Sequence, residues 1–217
     1  MLARPKEIVV MTKCAARVLA LSALLIVAPS LARAQSGGHA GMPGMAGMSG
    51  PNKIVIPPGV HITVADVEFM QGMIAHHAQA VYMSRLAESH GASPQVLRLS
   101  KMIDQSQIPE IVIMQNWLRR NGQFVPDTSS WHTVTMDGML SPEQLKALND
   151  AQGLKFDRAY LEYMIQHHSG AIKMVNDLLA TPGAAQDVDT GVFANDVVVV
   201  QTAEIGLMLK LRKDEKP

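Results

Sequence analysis

Cysteine is close to absent: the 217 residues hold one, Cys14. It precedes an apolar run, Val18 to Ala28, that is led by Arg4, Lys6, Lys13 and Arg17 and followed by Ala32-Arg33-Ala34, the layout of a secretory signal with a small-x-small cleavage site. That run is well short of the roughly 20 apolar residues a spanning helix needs. The expectation is a cleavable signal over residues 1–34, export to the periplasm or beyond, and no membrane span once the signal is removed. The mature chain would start at Gln35 without a thiol, which excludes disulfides and thiolate ligands.

Aromatic residues are also scarce, with two Trp, three Tyr and four Phe, and the formal net charge is zero. A chain with no basic excess and few stacking side chains is not built for a nucleic-acid partner. What it has in quantity is methionine, fifteen in all, and 47% hydrophobic residues, enough for a real core.

The sequence contains itself twice. DVEFMQGMIAHHAQAVYM, Asp66 to Met83, returns as DRAYLEYMIQHHSGAIKM, Asp157 to Met174, and Q-x-x-E-I-x-x-M recurs at Gln107 and at Gln201. Helix signals frame each copy. Thr63 to Asp66 fits a capping box and His90-Gly91 a stop; Ser93-Pro94 opens a second helix to Arg120, with Pro109 inside it predicting a kink or local break. A long connection over 123–140 leads to a short helix from Ser141 to about Gln152. A third long helix runs from Leu154 to about Ala180, and a fourth from about Asp189 to Lys213. Val197 to Val200 has strand propensity, yet it lies where the repeat demands helix. The expected fold is all-α: two repeated helical hairpins packed as a four-helix bundle over residues 60–213.

Residues 35–59 read as a disordered tail rich in Met, Gly and Pro. Within it Met42, Met45 and Met48 recur every third residue behind His39. Thioethers are soft donors that favour Cu(I), so the stretch is either a copper-capturing segment or a biased linker. In the repeats, helical spacing puts Met70, Met73, His77 and Val81 on one apolar stripe. His77 and His168 are expected inward, meeting Glu110 and Glu204, each a carboxylate among apolar neighbours. Whether that set binds metal or is a closed register-fixing network stays open. His76 and His167 are expected on the flanks, with Met73, Met83, Met164 and Met174 as nearby thioethers for a metal site. Met70, Met102, Met114 and Met208 are expected to be packing residues.

FMQGMIAHHAQAVYM, FDRAYLEYMIQHHSGAI and the paired Q-x-x-E-I-x-x-M segments resemble the domain-of-unknown-function family 305. The resemblance implies a ferritin-like four-helix bundle, export in bacteria and, for some members, copper binding and copper resistance through His and Met. Di-iron bundles of that architecture use Glu-x-x-His on two helices; this chain has none, which argues against a carboxylate-bridged di-iron oxidase. The reading is a periplasmic copper-binding protein that sequesters the ion or passes it to another periplasmic copper protein. A copper-dependent oxidase or reductase and a metal-free envelope module are the alternatives.

Overall fold

The computed structural model describes residues 53–214. The expected signal and the stretch carrying His39, Met42, Met45 and Met48 lie outside the described residues. Within them the chain forms five α-helices and no strand: α1 (Val64–Ser89), α2 (Pro94–Arg120), α3 (Pro142–Asp150), α4 (Leu154–Ala180) and α5 (Val188–Asp214), with one 3-10 turn at Thr128–His132.

The local signals act as read. Thr63 Oγ1 accepts from Asp66 N–H while Asp66 Oδ2 accepts from Thr63 N–H, closing the capping box of α1. Ser93 caps α2 ahead of Pro94, and Ser141 with Gln144 forms the box of α3. Val197 to Val200 is helical, its propensity overridden by tertiary packing. Pro109 does not break α2, which runs helical through it. Pro109 and Gln105, whose carbonyl loses its intrahelical donor, both face solvent, so water can take the freed acceptor. Residues 53–59 are better fixed than a tail. Ile54 and Ile56 pack on the core and Gln123 Nε2 donates to Val55 O at 2.9 Å.

Each hairpin pairs its two long helices, α1 with α2 and α4 with α5, and the hairpins join chiefly through α1 against α4. Ser84 Oγ lies 3.0 Å from Tyr160 Oη, and His76 lies against His167, so α1 and α4 run antiparallel. The connection between hairpins covers what remains of α1. Gln71 Nε2 donates to Phe124 O, the rings of Tyr82 and Trp131 lie 5.0 Å apart, and Gln79 exchanges two hydrogen bonds with the backbone of Leu140. Every residue from Phe69 to Val81 is consequently buried. α1 is therefore a central helix, buried on all sides along this stretch with its polar groups turned to protein partners, and not an amphipathic one.

The apolar core falls into two clusters. One gathers the first half of α1 and the second half of α4, with Met70, Met73, Met114 and Met174; the other gathers the second half of α1 and the first half of α4, with Met83, Met164 and Met208. Met102, expected in the core, is 43% exposed on α2. α5 is long and apolar enough to cross a membrane by length and composition alone. Its inward stripe nevertheless carries Thr190, Gln201 and Glu204 among its apolar residues and packs on α4.

The two matched aspartates tie the hairpins together. Asp66, fully buried at the start of α1, accepts from Ala185 N–H at 2.7 Å in the loop of the second hairpin. Asp157, fully buried at the start of α4, accepts from Ser93 N–H at 3.1 Å, the cap of α2 in the first hairpin. Each repeat thus satisfies a backbone donor of the other, at opposite ends of the molecule. Asp66→Ala and Asp157→Ala should each lower stability by about 1 to 3 kcal/mol, with the double variant near the sum because the sites share no partner. Denaturant unfolding of the three variants measures this; a double variant no worse than either single one would contradict independent braces.

Candidate metal centre

Between the two apolar clusters lies a layer of polar side chains. α1 contributes His76 and His77, α4 contributes His167 and His168, α2 contributes Gln107 and Glu110, and α5 contributes Gln201 and Glu204. All four histidines have 0% exposure. His77 and His168 are inward, as the apolar stripe predicts. His77 Nε2 lies 2.7 Å from Glu110 Oε2, and His168 Nε2 lies 2.7 Å from Glu204 Oε2, one pair within each hairpin.

His76 and His167 are not on the flanks. Their ring centroids are 3.8 Å apart with planes tilted by 42°, at the contact of α1 with α4. The flank assignment failed because it allowed each helix one buried face, whereas these helices have neighbours on two sides. His76 Nε2 lies 3.0 Å from the carbonyl oxygen of Asp137 in the connection. The turn that supplies this oxygen was not singled out from the sequence, although Met136-Asp137-Gly138-Met139 pairs a Gly turn signal with two methionines.

Several nitrogens in the layer have no partner. Nδ1 of His76, His77 and His168, both ring nitrogens of His167 and both amide atoms of Gln107 are buried with no protein partner in good hydrogen-bond geometry, although the His76 backbone approaches the His167 ring. Buried polar atoms are nearly always paired, so a cluster of orphans marks a place built for something else. Burial holds His76 well down, to about 3, with the neighbouring His77 adding to the effect and the Asp137 carbonyl opposing it. Burial likewise pushes His167 far below the ordinary imidazole value, aided by His76 and His168. Both rings are neutral at physiological pH and have the free lone pairs that metal coordination needs.

Thioethers flank the layer from both sides. Met73 and Met174 belong to one apolar cluster, Met83 and Met164 to the other, and all four are at most 3% exposed. Among the described residues no three or more His, Asp or Glu side chains are arranged as a cage for a metal ion. The donor set is suited instead to a soft cation held by few imidazole and thioether ligands, and not to a hard ion that wants six or more oxygens.

The family model for a domain of unknown function, DUF305, matches residues 66–212. Among solved structures, a DUF305 fragment from Deinococcus radiodurans is 29% identical, covering 69% of this chain and 96% of that one with a TM-score of 0.61. A DUF305 protein from Streptomyces coelicolor, described as secreted, is 28% identical over 68% of this chain and 91% of its own, with a TM-score of 0.60. CopM in a Cu(I)-bound form is 27% identical over 70% and 98%, with a TM-score of 0.57, and is also known in Cu(II)-bound and Ag-bound forms. No curated protein matches the chain.

Two measurements test the layer. In the unfolded chain a histidine titrates near 6.5, so as pH falls below that value the unfolded state takes up protons that His76 and His167 refuse in the fold. Stability should then fall by about 1.4 kcal/mol per pH unit for each of the two, down to the lowered folded values. His167→Leu should remove its share of that slope. It should also stabilise the metal-free protein at neutral pH, by about 1 kcal/mol, since it deletes two unsatisfied buried atoms. A loss of stability in this variant would show that the ring is held by contacts worth more than its desolvation. His168→Ala, in contrast, strands Glu204, whose side chain is 6% exposed against 19% for Glu110. Calorimetry should find it more destabilising than His77→Ala, within about 1 to 3 kcal/mol for each.

Proposed function

Because the chain belongs to the DUF305 family, we propose that it is an exported metal-binding protein that holds a soft cation, copper(I) foremost, in the histidine and methionine layer of its bundle. The observation that carries this reading is the set of unpaired imidazole nitrogens around His76 and His167. A purely structural histidine layer would be expected to pair its buried ring nitrogens with protein groups, and a ligand that binds them offsets the cost of leaving them unpaired. The metal-bound forms of CopM support the same class of ligand.

His76 and His167, neutral and aimed at one another across α1 and α4, are the primary ligands, with Met73, Met83, Met164 and Met174 as thioether donors on either side. Glu110 and Glu204 hold His77 and His168 through Nε2, leaving each Nδ1 as the free lone pair, the arrangement in which a carboxylate orients a ligating imidazole. The charge and apolar pattern of residues 1–34 supports export, and His39, Met42, Met45 and Met48 supply a second, independent set of soft donors. The role that follows is to sequester copper outside the cytoplasm in metal tolerance, or to pass it to another copper protein there. No residue combination points to a reaction catalysed by the metal.

Titration of the mature chain with Cu(I) against a competing chelator, at pH 7 and pH 5, tests the reading. For two exposed imidazoles, acidification to pH 5 would weaken binding about thirtyfold for each ligand. Here the histidine-dependent affinity should change by less than about threefold, because His76 and His167 are already deprotonated in the fold. The double variant His76→Ala/His167→Ala should lose this component and keep whatever the Met42 to Met48 segment binds. Equal stoichiometry in variant and parent would refute the bundle site.

A further inference from the structure

The proposed ligands are sealed from solvent, and the seal is unusually thin at one place. Asp137 and Gly138 are only half buried, while His76, directly beneath them, accepts no solvent at all. Its Nε2 meets the Asp137 carbonyl, so one peptide unit separates the ring from the outside. That peptide belongs to a four-residue turn closed by Met139 N–H donating to Met136 O at 3.1 Å, with Gly138 at φ +79. Met136 and Met139, 5% and 7% exposed, are part of the same apolar cluster as Met73 and Met174.

The turn lies backbone to backbone on α4. A Cβ on Gly170 would fall 2.0 Å from the Asp137 oxygen, and one on Gly138 would fall 2.7 Å from the Gly170 Cα. No side chain fills that contact. Besides the two buried methionines, what holds the turn down is peripheral: Lys173 Nζ to Asp137 Oδ2 at 2.9 Å, and Gln166 Nε2 to Gly138 O at 3.2 Å. The Lys173 and Asp137 side chains are 52% and 40% exposed, so their ion pair is a weak latch. Behind the turn, the pair of buried hydrogen bonds between Gln79 and the Leu140 backbone forms a firm hinge point.

We propose that the Met136 to Met139 turn is the port through which a soft cation reaches His76 and His167, and that the two thioethers are its first ligands inside the fold. The inference rests on the metal reading above. Lifting the turn breaks the hydrogen bond that His76 Nε2–H donates to the Asp137 carbonyl, which releases the ring to turn its unpaired Nδ1 lone pair toward the ion in the same movement that admits it. Met136 and Met139, carried on the moving turn, can follow the ion inward toward Met73 and Met174, so that it never has to exchange water for a wholly dry site in one step.

Carbethoxylation of His76 and His167 by diethyl pyrocarbonate, read by peptide mass spectrometry on the full chain, reports opening without any metal. Modification should proceed with little dependence on denaturant, through local opening. Lys173→Met should accelerate it by up to about fivefold, the worth of a surface latch. Gly170→Ala, which props the turn away from α4, should accelerate it about tenfold or more. Rates that track global unfolding in all three proteins would overturn the port. For the relay, stopped-flow uptake of Cu(I) by Met136→Leu/Met139→Leu should slow about tenfold while carbethoxylation stays at the parent rate. Unchanged uptake would overturn the ligand role of the two methionines. Failure of the parent to take up Cu(I) at all would refute the metal reading and the relay together, while the carbethoxylation series would still decide whether the turn opens.

Discussion

The structure depends on keeping four imidazoles out of water at the centre of a helical bundle. A neutral buried ring is tolerable where each nitrogen has a partner, and two of the four approach this through their carboxylates, His77 with Glu110 and His168 with Glu204. The other two meet each other across α1 and α4, and burial holds both in the neutral form. The rest of the bundle is arranged around that constraint. The two apolar clusters exclude water from above and below. The long connection closes the side that α2 and α4 leave open, and its Asp137 carbonyl gives His76 its one hydrogen bond.

Much of this was legible in the residues, and what was not has a common cause. The doubled motif fixes the number of hairpins, and it is strong enough to overrule the strand propensity of Val197 to Val200, because a helix in one copy requires a helix in the other. The inward histidines and their carboxylates follow from spacing along a single helix, a purely local property. The misplacement of His76 and His167 arose where a second neighbour enters. Periodicity assigns one face per helix, and α1 is buried from Phe69 to Val81 without interruption because α2, α4 and residues 124–140 surround it. The run Phe69 to Val81 does carry a clue in its near absence of charge: an exposed helical face would need some. Met102 failed in the opposite sense, apolar in a helical stripe yet 43% exposed at an open cleft between α2 and α5.

The same reasoning explains why the covering turn escaped notice. A connection of this length reads as a linker when only its Gly and Pro content is considered, and nothing in Met136-Asp137-Gly138-Met139 announces which helix it will lie on. Gly170 is the matching signal on α4, a glycine in a helix interior where it costs stability. It earns its place because the Asp137 backbone occupies the volume a side chain would need. Two glycines, one in a turn and one in a helix, become informative only as a pair.

The reciprocal bonds of Asp66 and Asp157 have a consequence for how such a chain is put together. Each aspartate is positioned by its own repeat but satisfies a backbone group in the other. A lone hairpin would therefore carry a carboxylate short of one donor and an amide with nothing to meet it, and two identical hairpins would correct both defects at once. The molecule is in this sense a self-complementary pair joined by a strap. The strap itself is the part without a counterpart in the symmetry, since Asp137 covers His76 and no equivalent segment among the described residues covers His167. Tandem duplication supplies two equal halves; the inequality between their histidines comes from the single piece of chain needed to connect them.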